Sequence, residues 1–307
     1  MIKNMKSRLL AAIAPLSLLT GTPALAQTAA PAPAPAAATV DADPALWVVK
    51  DDDTTIYLFG TVHVLKPGLS WFDEAVKTAF DASDELVLEL IQPEPAAAQQ
   101  MLGSVIVDID GPPLSQKLPE ADRPALAKAL TENGIPPEQF EPIKPWFVAL
   151  TLSLAPLQKL GYDPNSGTET VLTAAAKAAK KPIGALETFT GQLAVLDTLP
   201  EPVQIQYLQE TVKEISKVGE TIERMVTQWS KGDPEALAVT MNEGVQIPEL
   251  RNALLTKRNI AWAEWIENRL KKPGTVFMAV GAGHLAGKDS VQVQLGTRKL
   301  MATRVSY

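Results

Sequence analysis

The chain has 307 residues, 46% of them hydrophobic, with a formal net charge of −7, no cysteine and only two histidines. Without cysteine there can be no disulfide, no lipid-anchored N-terminal thiol and no thiolate metal ligand. The acidic balance, with no basic cluster interleaved by aromatics, argues against a nucleic-acid partner.

The first 26 residues read as an export signal. Lys3, Lys6 and Arg8 precede the apolar stretch LLAAIAPLSLL, and Ala24-Leu25-Ala26 offers small residues where a signal peptidase cuts, leaving Gln27 as the new N-terminus. Loss of those three cations takes the formal charge to −10 and predicts a periplasmic or secreted protein. No later window reaches about 18 apolar residues, so no stable membrane span is expected once the signal is removed. Residues 27–43, rich in alanine and proline, have little side chain to bury and are expected as a flexible tether. A single domain is then expected over residues 44–307.

Thr54 to Phe59 predicts a short strand ending at Gly60, and Ser70 is placed to cap a helix from Trp71 to about Asp81. ELVLEL, residues 85–90, predicts a second strand. The next stretch, about 94–168, reads as a helical insert broken by Pro112-Pro113 and by the Asn133-Gly134 turn. An alanine-rich helix over 169–180 precedes a third strand, KPIGALE, residues 181–187. From 202 to 270 the chain again reads as helical, with Leu208, Val212, Ile215, Ile222, Met225 and Trp229 marking one face of one long helix. A helix over 250–270 leads to the fourth strand, TVFMAVG, residues 275–281. This cadence predicts an α/β (α+β) fold: a central, largely parallel sheet flanked by helices, with a mostly helical middle segment.

Each strand delivers a chemically capable residue at or just beyond its carboxyl end: His63, Glu89, Glu187 and His284. Ligands of open parallel sheets bind at those ends. Both histidines close a Gly-x-x-His tetrad, Gly60-Thr61-Val62-His63 and Gly281-Ala282-Gly283-His284, and the glycines are expected to let the chain leave its strand in conformations a Cβ would penalise. Two imidazoles with a carboxylate suit an open divalent-metal site of zinc, cobalt or manganese. Arg258 is anomalous, because it shares a helix face with Leu254, Trp262 and Ile266. It can snorkel, or reach a site carboxylate, an anionic substrate or a developing oxyanion.

The motifs LFGTVHVLKPG, LVLEL, KPIGALET, RNIAWAEWI and VFMAVGAGHLAGKDSV, in this order from about Trp47 to the C-terminus, resemble the TraB/GumN family, also called TIKI-like. The resemblance implies a relative of the erythromycin esterase and ChaN-like folds, in a family whose animal members are membrane-tethered, metal-dependent proteases. It also implies that His63 and His284 are the tetrad histidines, Glu89 the acidic residue after the first motif, Glu187 part of a Leu-Glu-Thr segment and Arg258 the arginine of an Arg-Asn pair with Asn259. Asp289-Ser290-Val291 departs from the acidic-glycine start usual for the last helix.

The leading expectation is a metal-dependent hydrolase, most concretely a periplasmic metallopeptidase acting on a peptide or small-molecule substrate. His63, His284 and Glu89 would hold the metal, Glu89 or Glu187 would serve as base, and Arg258 would stabilise the oxyanion. No HExxH places that base. A metal-free esterase-like hydrolase or transferase with a His/Glu general base is the alternative, and a non-enzymatic haem-binding or chaperone-like module is the third. A homodimer is compatible with the helical middle.

Overall fold

The computed structural model describes residues 39–244 and 246–306, so the expected signal and most of the tether lie outside the described residues. Among the described residues eight strands occur: β1 (Val40–Asp41), β2 (Leu46–Lys50), β3 (Thr54–Thr61), β4 (Leu69–Ser70), β5 (Glu85–Leu88), β6 (Ile183–Ala185), β7 (Gly274–Gly281) and β8 (Thr303–Arg304). Six form one sheet in the order β6-β5-β7-β3-β2-β8. The first four of these run parallel, while β2 and β8 add antiparallel edges. The tetrad-bearing strands are parallel neighbours paired along their full length, Thr54 opposite Gly274 through Thr61 opposite Gly281.

Strand side chains alternate between two layers, as a period of two requires. Phe59, Leu86, Leu88, Phe277 and Ala279 pack with Trp71, Phe80, Leu172 and Trp229, on the side of helices Glu74–Ala82 and Thr168–Ala178. Ile56, Leu58, Val87, Val276, Met278 and Val280 face the other way, onto helices Lys257–Arg269 and Val291–Thr297 through Trp262, Ile266, Val291 and Leu295. Both faces are covered, which is why these strands read as continuous apolar runs. A further core, around Leu130, Trp146, Val148, Leu152 and Leu208, belongs to the helical middle. Its segments leave the sheet after β5 and after β6, hence from the carboxyl ends of parallel strands.

Several local expectations are corrected. Val40 and Asp41 pair in parallel with Leu69 and Ser70, and Ala42 is buried, so the last residues assigned to the tether belong to the fold. Ser70 is spent in β4 and donates to Asp73, and the helix begins at Glu74. The long amphipathic helix is two, Glu201–Glu214 and Val218–Ser230, separated by a 3-10 turn at Ile215–Lys217. The helix expected over 250–270 contains a π-helical turn, Asn252–Thr256, before Lys257–Arg269. Gly60, Gly281 and Gly283 do not adopt positive φ. Space is the reason for the first two: a Cβ on Gly60 would lie 3.0 Å from the Ala282 Cα, and one on Gly281 would lie 3.1 Å from Glu89 Oε1.

Candidate functional site

The four parallel strands present their chemistry at one edge of the sheet. His63 follows β3, Glu89 follows β5, Glu187 follows β6 and His284 follows β7. Arg258, in the first turn of Lys257–Arg269, joins three of them. Its Nε and Nη2 donate to the two oxygens of Glu187 at 2.8 and 2.9 Å, and Nη2 donates also to Glu89 Oε2 at 2.6 Å. Nη1 donates to the Leu254 carbonyl at 3.1 Å and faces His284 Nε2 at 2.9 Å. A guanidinium has five N–H groups. These five contacts commit all of them, so as arranged Arg258 has no donor to offer an oxyanion. It is a cross-link between carboxylates, stacked 4.7 Å over the Trp262 ring, whose indole N–H donates to Glu187 Oε1.

The protonation of His284 follows from its partners. Asn259 Nδ2 donates to the Asp289 carbonyl at 2.7 Å, which turns Asn259 Oδ1, an acceptor only, toward His284 Nδ1 at 2.6 Å. Nδ1 therefore carries the hydrogen and Nε2 offers its lone pair to Arg258. Burial first, then the positive charges of Arg258 and His63, push the pKa of His284 down to about 3. The ring is neutral at any ordinary pH.

Burial alone would raise the pKa of Glu89, yet it is lowered. A protonated His284 would favour ionised Glu89, but that ring is neutral, so Arg258, His63 and the Gly281 N–H hold the carboxylate. Gly281 donates to Glu89 Oε1 at 2.6 Å, and Gln192 donates to Oε2 at 3.2 Å. His284 Nε2 stands 3.7 Å from Glu89 Oε1.

His63 is set apart from this packed cluster. Its side chain is 73% exposed, although its ring still feels the charges of Glu89 and Arg258. Nδ1 lies 2.5 Å from Glu169 Oε1, and that ion pair raises the pKa of His63 to about 9. Burial alone would raise the pKa of Glu169; the charge and hydrogen bond of His63 lower it. The loop is pinned to the start of the partner helix: Val62 N–H donates to Thr168 Oγ1 at 2.9 Å and Thr168 N–H to the Val62 carbonyl at 3.0 Å. A Cβ on Gly167 would sit 2.2 Å from the His63 carbonyl oxygen, so only glycine fits there. Glu169 escaped sequence reasoning because an acid in a first helical turn reads as an ordinary macrodipole partner. The signal available was its place in Gly167-Thr168-Glu169, immediately before the helix that leads to β6.

The donor types of the expected metal site are present, and as arranged they are engaged with one another or with Arg258. Arg258 takes the His284 lone pair, both Glu89 oxygens accept N–H groups, and His63 holds its proton. Among the described residues no three His, Cys, Asp or Glu side chains are grouped to hold a metal.

An α/β domain with a central, largely parallel sheet, bearing two glutamates and a histidine around one arginine and a second histidine beside them at the strand ends, is the class that fold and site define. The chain belongs to the TraB/PrgY/gumN family, whose profile matches residues 45–304. It is 29% identical over 182 residues to the uncharacterized protein YbaP of Escherichia coli strain K12, covering 59% of this chain and 67% of that protein. An uncharacterized protein of Treponema pallidum is 21% identical over 280 residues, covering 83% of this chain and 81% of the other. No solved structure matches the chain. Among the described residues, no helix is long and apolar enough to cross a membrane.

Proposed function

We propose that this protein is a hydrolase or group-transfer enzyme whose proton-transfer unit is the His63–Glu169 pair. The observation that carries the reading is the 2.5 Å contact between His63 Nδ1 and Glu169 on a ring otherwise open to solvent, at the carboxyl ends of the parallel strands. Glu169 occupies Nδ1, leaving Nε2 for a substrate. With its pKa raised to about 9, His63 rests as the imidazolium at neutral pH. Water or a substrate hydroxyl adds to the carbonyl carbon of an ester or amide, and as the tetrahedral adduct collapses the His63 Nε2–H donates to the departing oxygen or nitrogen. The neutral ring, still oriented by Glu169, then accepts a proton from the attacking water or hydroxyl, which restores the imidazolium. Glu89, Glu187, Arg258 and His284 form the fixed wall against which substrate is oriented, with Glu89 and Glu187 acting as counter-ions of Arg258 and not as bases. The N-terminal segment supports action in the periplasm or outside the cell.

The test uses protein purified without a histidine tag and an ester and peptide library. Turnover that survives exhaustive chelation and disappears in His63→Ala and Glu169→Gln supports the proposal. Turnover that appears only when metal is added would overturn it in favour of metal-dependent hydrolysis, the reading favoured by the gathering of His284, Glu89 and His63 in one charge field. Under that reading Arg258 must leave His284 and Glu89, and stoichiometric Co²⁺, Mn²⁺ or Zn²⁺ binding must be lost in His63→Ala and in His284→Ala.

A further inference from the structure

Behind the Glu187–Arg258 pair lies a cavity of about 350 Å³ that neither tetrad enters. Leu186, Val195 and Ala261 give it apolar walls, and Trp265 contributes an indole with no aromatic or hydrogen-bonding partner among the described residues. Three charged side chains line it: Glu187, Arg258 and Lys257. Glu187 is paired through two hydrogen bonds with Arg258, whose charge it shares with Glu89. Lys257, exposed and without a carboxylate or carbonyl partner among the described residues, is the unspent charge of the cavity. An apolar hollow with one free cation at its mouth is complementary to an apolar group carrying a carboxylate.

We propose that this cavity binds the C-terminal residue of a peptide, with an apolar side chain against Trp265 and Leu186 and the terminal carboxylate on the Lys257 ammonium. Size favours a single residue over a long alkyl chain, since 350 Å³ lies at the small end of the roughly 300–1,000 Å³ typical of ligand pockets. The sheet supplies the second argument. Among the described residues β6 is an edge strand, with β5 on one side and no strand on the other, and it leads directly into Leu186 and Glu187 of the cavity lining. Residues preceding the captured one can add along that edge by main-chain hydrogen bonds, a mode open to a peptide and closed to a fatty acid. The cavity uses none of the groups assigned to proton transfer, so the site stands whether or not that assignment does.

Calorimetry with acetyl-Ala-Ala-Ala-Phe bearing a free carboxylate, the same peptide as its C-terminal amide, and decanoate tests the proposal. We expect the amide to bind about tenfold or more weakly than the acid. Lys257→Met should bring the acid down to the affinity of the amide, Ala261→Trp should abolish both, and His63→Ala should leave both unchanged. Lys257 and Ala261 are exposed, so both variants should fold, which circular dichroism checks. Equal binding of acid and amide, an unaltered preference in Lys257→Met, or tighter binding of decanoate would each overturn the assignment.

Discussion

Arg258→Met tests the electrostatic logic of the site through stability, without any substrate. The side chains of Arg258, Glu89 and Glu187 are 14%, 13% and 16% exposed, so the two carboxylates have little water to replace the guanidinium. Methionine keeps much of the packing against Trp262 but leaves two largely buried anions facing each other. Breaking a buried pair in this way costs about 3–5 kcal/mol. With a urea m-value of about 3 kcal/mol/M, the unfolding midpoint should fall by about 1–1.7 M at pH 7.5. The pH dependence gives the sharper reading. In the parent protein the Glu89 pKa is lowered, so its contribution is fully present above the unfolded value of about 4.3 and is lost only as pH falls through the folded one. In the variant, burial dominates and raises the folded pKa, so the folded state takes up a proton first. The deficit should therefore shrink between pH 7.5 and pH 5. A loss below about 1 kcal/mol, or an equal loss at both pH values, would refute the account of Arg258 as the counter-ion of both glutamates.

With only two histidines in the chain, NMR of the imidazole carbons of tag-free protein resolves each ring; His63 should titrate near pH 9 and His284 should stay neutral down to about pH 3. Glu169→Gln should move the His63 midpoint down toward the ordinary value near 6.5, and an unmoved midpoint would remove Glu169 from its role. Stability credited to that pair is present below the unfolded histidine pKa and lost as pH rises through the folded one, so the melting-temperature gap between parent and Glu169→Gln should close by about pH 10. Gly167→Ala must displace the His63 backbone and should cost about 1–3 kcal/mol of stability by overpacking, together with any turnover; a fully active, equally stable variant contradicts the close approach. Trp229→Phe deletes the donor that meets the Gly60 carbonyl at 2.7 Å and should cost about 1–3 kcal/mol in chemical denaturation, with a change below about 0.5 kcal/mol arguing against that bond.

The residues at the carboxyl ends of the strands were legible because each stands directly against an apolar run of period-two structure, where a Glu or His has no packing reason to be. The helix-borne members were legible only in part. Arg258 was conspicuous on an apolar face, but nothing local reveals that its five donors are already committed, since four of their contacts are to the distant Glu89, Glu187 and His284. Glu169 was invisible because its partner lies 106 residues earlier. The 3-10 turn at Ile215–Lys217 escaped for a related reason: the apolar spacing continues through it, and the break is set by packing that the spacing does not record.

The position of β7 has a consequence for how the protein comes into being. The strand that sits between β3 and β5 is drawn from residues 274–281, long after both neighbours have been synthesised. A nascent chain therefore carries β3 and β5 with a gap where their shared partner belongs. Contacts spanning some 220 residues close last and slowly. The joining of the sheet, the Gly281 N–H that holds Glu89 and the second imidazole all arrive in one event, so a chain truncated before β7 lacks the strand that joins β3 to β5 and, with it, two partners of the Glu89–Arg258 cluster. Closure of the sheet and delivery of His284 to Arg258 are therefore the same step.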